Sequence, residues 1–125
     1  MLGKADATPM IAVSDLDRAR TFYQEKLGLK TKDEWGGEGV TLKSGDTLIN
    51  VYRSEFAGTN KATAVTWAMG DAFDRTVDAL KAKGVRFERY DMPGAKMDGD
   101  VHVFGDVRVA WFKDPDGNLL NLVNR

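Results

Sequence analysis

The chain has 125 residues, 42% of them hydrophobic and 30% charged, which fits one globular domain that can bury a core without a metal or disulfide staple. A formal net charge of -1, with no basic run, excludes the electrostatic footprint of a nucleic-acid or anionic-membrane partner. There is no cysteine, which rules out disulfides and thiolate metal sites. Residues 1–7 lack the charged-then-apolar pattern of a signal peptide and no segment is long enough to span a bilayer, so a cytoplasmic location is expected.

In chain order, the apolar run 10–13 reads as a strand. A helical pattern follows, with Asp15 at its start and Gly28 just past its end. Leu16, Ala19, Phe22, Tyr23 and Leu27 lie at helix spacing within it. Strand candidates then fall at 30–35, 39–43 and 47–53, with Ser44-Gly45-Asp46 as a turn and 56–62 as a connector. The second half repeats the plan. A strand at 64–69 leads to a helix from Asp71 to Gly84 carrying Phe73, Val77 and Leu80. Strands at 85–90, 107–113 and 118–123 follow, the last after the turn Asp114-Pro115-Asp116-Gly117.

Asp15 to Gly28 and Asp71 to Gly84 both span 13 positions, which sets the copies 56 apart. Leu48-Ile49-Asn50-Val51 matches Leu119-Leu120-Asn121-Leu122 at an offset of 71. The second copy therefore carries 15 extra residues, expected within 91–106. The reading is an internal duplication of strand, helix and three strands.

The segment from Val13-Ser14-Asp15-Leu16-Asp17-Arg18 through Phe22-Tyr23 to Leu27-Gly28-Leu29 resembles the opening of a vicinal-oxygen-chelate domain. Ala110-Trp111-Phe112-Lys113-Asp114-Pro115-Asp116-Gly117-Asn118 resembles its end. That superfamily includes the glyoxalases, the bleomycin-resistance proteins and the extradiol dioxygenases. The resemblance covers essentially the whole chain and implies an α+β fold. Two βαβββ modules, about 8–53 and 63–125, would form one domain, an open barrel-like mixed sheet with the helices outside. It also implies a homodimer, with sheet edges paired or modules exchanged.

Catalytic members of the superfamily hold a divalent metal with four His, Glu or Gln side chains, one from the first and one from the last strand of each module. Carried over residue by residue, those positions are Thr8, Asn50, Ala64 and Asn121. Two amides, a hydroxyl and a methyl group lack the imidazole nitrogens or carboxylates that a first-row divalent ion needs. The only histidine, His102, is not at one of these positions. No metal or other cofactor is expected.

Strand alternation places Met10, Ala12, Leu48, Tyr52, Thr66, Ala68, Leu119 and Val123 on the cleft side with these four. Ile11, Val13, Val51, Val65, Trp67, Met69, Leu120 and Leu122 then face the helices. Trp35 and Trp111 could wall such a cleft, although core packing is the alternative for Trp67 and Trp111. The segment 90–99, with Met92 and Met97, could cover it or be a surface connector. His102 is the one acid–base candidate, against the plainer reading of a structural or exposed histidine. The acidic positions Asp33, Glu34, Glu38 and 98–100 read as solvated loops, and Arg53, Arg89 and Arg108 as solvated strand faces.

The expected ligand-binding set is therefore Thr8, Met10, Trp35, Asn50, Tyr52, Thr66, Met97, His102, Trp111 and Asn121, for a small hydrophobic or aromatic molecule. The alternatives are a metal-independent lyase or isomerase using His102 and, less favoured, a metal-dependent glyoxalase or dioxygenase.

Overall fold

The structure, a computed structural model, describes all 125 residues and divides the chain into two compact units, Met1–Gly58 and Thr59–Arg125. The fold is α+β. Each unit holds one open mixed sheet and one main helix.

In the first unit a short 3-10 turn, Leu2–Lys4, precedes β1 (Met10–Val13), α1 (Leu16–Arg20), β2 (Lys30–Glu34), β3 (Gly39–Ser44) and β4 (Thr47–Arg53). The sheet order is β1-β4-β3-β2, with β1 parallel to β4 and the other pairs antiparallel. Asp15 caps α1 by accepting the Arg18 backbone N–H at 3.1 Å. The helix continues over Thr21–Lys26 with wider π turns, in which the Leu27 N–H donates to the Phe22 carbonyl. The adjacent Phe22 and Tyr23 are both buried there, edge to face at 5.2 Å. Gly28 ends the helix with φ 82°, a left-handed conformation.

The second unit contains β5 (Thr63–Ala68), α2 (Phe73–Ala82), β6 (Phe87–Glu88), β7 (Lys96–Asp98), β8 (Val101–Phe104), β9 (Val107–Lys113) and β10 (Leu119–Val123). Its order, β5-β10-β9-β8-β7, repeats the first with β5 parallel to β10. The counterpart of β2 is broken in two. β6 covers Trp111 and Phe112 of β9, and β8 covers Val107, Arg108 and Val109.

The extra residues lie between these pieces and form β7 with its turn into β8. The strand expected at 85–90 is thus reduced to two residues, and the expected connector contains a hairpin. A second correction concerns Asp71. It lies inside a 3-10 turn, Gly70–Ala72, and α2 starts after it with no side-chain cap.

In both sheets one face is apolar and covered by a helix. Ile11, Val13, Leu42, Ile49 and Val51 are buried in the first, where α1 packs on β4. Ala110, Phe112, Leu120 and Leu122 are buried in the second, where α2 packs on β10. The helices contribute Leu16, Ala19, Phe73, Val77 and Leu80 to these layers. This period-two burial is the alternation visible in the sequence.

Candidate functional site

Residues directly opposed across a strand pair share a sheet face. In the first unit Met10, Asn50 and Thr41 form one such row on the face away from α1, and Ala12, Tyr52 and Gly39 the next. A hydrogen-bonded chain runs along the first row. The Trp35 indole N–H donates to Thr41 Oγ1 at 3.0 Å, whose hydroxyl donates to Asn50 Oδ1 at 2.7 Å. The Asn50 amide nitrogen donates in turn to Met10 Sδ at 3.2 Å.

Trp35 reaches this row because Gly39 has no side chain: a Cβ there would lie 2.6 Å from the indole. Trp35 is thereby folded onto the sheet, and Met10 is 52% exposed. Thr8 precedes β1 and is exposed.

In the second unit the corresponding row is Thr66, Asn121 and Trp111. The next row runs Ala68, Val123, Val109, His102 and Met97. Five of the expected site residues therefore share the helix-free face of one sheet: Thr66, Met97, His102, Trp111 and Asn121.

Beside them lies a hollow of about 310 Å³, lined by Lys61, Ala62, Thr63, Tyr90, Met92, Trp111 and Leu119. Its wall is mainly aromatic and aliphatic. Tyr90 meets Trp111 edge to face at 5.8 Å, and the Trp111 indole N–H donates to Thr63 Oγ1 at 3.0 Å. A second hollow of about 260 Å³ continues past Tyr90 and Met92 to Ala95 and Met97.

Sequence reasoning did not place Tyr90, Met92 and Thr63 among the site residues. Tyr90 and Met92 lie in the segment 90–99, read as a possible cover or a surface connector, and the bond from the Tyr90 backbone N–H to His102 of β8 holds the start of that segment against the sheet. Burial and the nearby Glu88 carboxylate raise the Tyr90 phenol above its ordinary pKa, partly offset by Lys113, so it stays neutral there.

His102 is not exposed. It lies within β8, fully buried between Tyr90 and Trp111, with ring centroids at 6.0 and 4.9 Å. Its Nε2 accepts the Tyr90 backbone N–H at 2.9 Å, so the neutral ring carries its proton on Nδ1. That buried Nδ1 has no partner. Asn121 is also buried, at 9% exposure, and its Oδ1 is likewise without a partner.

Some side chains expected to be merely solvated are paired. Arg53 binds Glu38 at 2.8 Å, and Asp100 binds Lys81 at 3.2 Å. Arg108 binds Asp98 at 3.0 Å and Asp74 at 3.1 Å. The hydrogen bond from Arg108 to Asp98 is the main reason its pKa rises, with Asp74 adding to it against the effect of burial.

The donor set does not fit a catalytic divalent metal. Of the four positions corresponding to metal ligands, Asn50 and Asn121 sit in the ladders. Thr8 lies outside β1, and Ala64 is passed over where Leu119 pairs Thr63 and Leu120 pairs Val65. The Asn50 oxygen is already engaged by Thr41. No group of three His, Asp or Glu side chains is placed to hold a metal ion. No helix is long and apolar enough to cross a membrane.

The family model for the Glyoxalase/Bleomycin resistance protein/Dioxygenase superfamily matches residues 7–122, and the chain belongs to that superfamily. No curated protein matches the sequence.

Among solved structures, a glyoxalase family protein from Enterococcus faecalis is similar at 21% identity. The TM-score is 0.73, covering 98% of this chain and 99% of that one. A bleomycin resistance determinant encoded on the transposon Tn5 is similar at 20% identity, with a TM-score of 0.71 and 98% of each chain covered. Lactoylglutathione lyase from Agrobacterium tumefaciens is similar at 18% identity, with a TM-score of 0.70, covering 96% of this chain and 92% of that one. At these identities the likeness establishes the fold.

Proposed function

We propose that this protein binds a small hydrophobic or aromatic molecule without a metal, on the helix-free face of its second sheet. The observation that carries this reading is the hollow walled by Tyr90, Trp111, Met92 and Leu119. It is apolar, of a size at the lower end for small-molecule sites, and edged by a few polar groups that can orient a ligand. Two methionines, Met92 and Met97, give its outer wall a soft and adaptable surface.

Sequestration of this kind is what likeness to a bleomycin resistance determinant suggests. The near-neutral charge of the chain does not favour a strongly cationic drug as its ligand. The protein is taken to act in the cytoplasm as a homodimer.

A metal-independent lyase or isomerase centred on His102 has less support. In the neutral ring the one lone pair that could take a proton already accepts the Tyr90 N–H. A metal-dependent glyoxalase or dioxygenase would need ligands that Thr8, Asn50, Ala64 and Asn121 do not supply.

Calorimetric titration with toluene and naphthalene tests the binding reading. Saturable binding is expected, weakened at least tenfold by Trp111→Ala, because that change removes the largest apolar wall. Undiminished binding in the variant would move the site elsewhere.

A further inference from the structure

The two units treat one equivalent position in opposite ways. Asn50 and Asn121 hold matching places in β4 and β10, each opposed by a residue of the antiparallel neighbour: Thr41 for Asn50, Trp111 for Asn121. The Thr41 hydroxyl satisfies the Asn50 oxygen. Trp111 offers nothing to the Asn121 oxygen, because its single N–H is spent on Thr63 Oγ1. The result is a buried amide acceptor with no donor from the protein. Native folds seldom leave such an atom without a reason.

The path of the indole supplies one. Trp111 stands on β9 and bonds to Thr63 on β5, and β10 lies between those strands. The side chain therefore crosses β10 between the Leu119 and Asn121 levels, since Leu119 pairs Thr63 and Asn121 pairs Trp111. Its only polar tether is one hydrogen bond to an exposed threonine at the first position of β5. Trp111, Thr63 and Leu119 also line the hollow.

We propose that the Trp111 indole is a movable cover, and that the Asn121 Oδ1 beneath it accepts a hydrogen bond from the ligand. The class recognised is then a small aromatic molecule bearing a hydroxyl or N–H, and plain hydrocarbons bind less tightly. This rests on the reading that the second sheet's helix-free face binds small aromatic molecules. Closed, the cover bonds to Thr63 and shuts water away from Asn121. Open, it exchanges that bond for one between Asn121 and the ligand's donor. A site built to meet a polar group discriminates strongly against the analogue that lacks it.

Phenol and toluene, titrated into the intact protein and followed by calorimetry and by the tryptophan indole N–H resonances, separate the two claims. Phenol is expected to bind at least tenfold more tightly and to shift the Trp111 indole signal. Asn121→Leu, of similar size, should bring phenol within twofold of toluene while toluene still binds. Thr63→Val, at an exposed position, should release the cover and tighten phenol binding at least threefold. Equal affinities of the wild-type protein for the two probes would overturn the acceptor role while leaving the aromatic site intact. Unchanged phenol affinity in Thr63→Val would overturn the cover. If neither probe binds the wild-type protein, the underlying reading of the site fails, and this inference with it.

Discussion

His102 illustrates how a residue's chemistry is decided by its neighbours. A lone histidine invites an acid–base role, since its unperturbed pKa is near neutral. Here the ring is sealed between Tyr90 and Trp111, and Nε2 holds the Tyr90 N–H, at the point where the chain leaves β6. Its work is to anchor the start of the extra segment and so to place Tyr90 against the hollow. His102→Ala would leave the Tyr90 N–H unsatisfied and open a gap beneath two aromatic rings. Urea unfolding should register a loss of about 3 kcal/mol, with Tyr90 loosened. A change within about 0.5 kcal/mol, the range of an ordinary surface substitution, would contradict a structural role for the ring.

At the scale of elements, the turn between β9 and β10 is built around one carboxylate. The Asp114 carboxylate is buried and accepts from the Asp116 and Asn118 backbone N–H groups at 3.0 and 2.9 Å, and from the Asn118 side-chain amide at 2.8 Å. Asp114→Ala strips all three donors of their acceptor. Thermal or urea unfolding should show a loss of about 3 kcal/mol, the cost of orphaned buried donors around a lost charge. A loss below about 1 kcal/mol would mean that the turn holds its shape without the carboxylate.

This turn was readable from Asp114-Pro115-Asp116-Gly117, as were β1, β4 and β9 to the residue, because turn chemistry and alternation are local signals. The hairpin of β7 and β8 was not. Lys96 to Asp98 is a polar, exposed strand, and its order comes from pairing with β8 and from ion pairs of Asp98 and Asp100 to Arg108 and Lys81. These contacts are distant in sequence and leave no periodic trace. The candidate site shows the same division. The shared face of Thr66, Asn121 and Trp111 follows from alternation, whereas Tyr90 and Met92 reach it through that hairpin.

At the scale of the whole molecule, two sheets share one strand plan and carry different chemistry on their helix-free faces. In the first, Trp35, Thr41, Asn50 and Met10 satisfy one another, and the row is closed. In the second, the split of the β2 counterpart brings an aromatic wall to the face, while Asn121 and His102 each keep an unspent polar atom. That asymmetry is what favours the second unit as the proposed binding site. Thr8, Asn50, Ala64 and Asn121 also lack the imidazole and carboxylate donors of metal-dependent superfamily members.

The most direct test follows the three tryptophan indole resonances during a toluene titration of protein dialysed against a strong chelator, and again after zinc or nickel is added. The expected result is a saturable shift of the Trp111 signal, with Trp35 and Trp67 little changed and the same affinity with and without metal. No saturable shift at Trp111, or one that appears only when metal is present, would contradict the account.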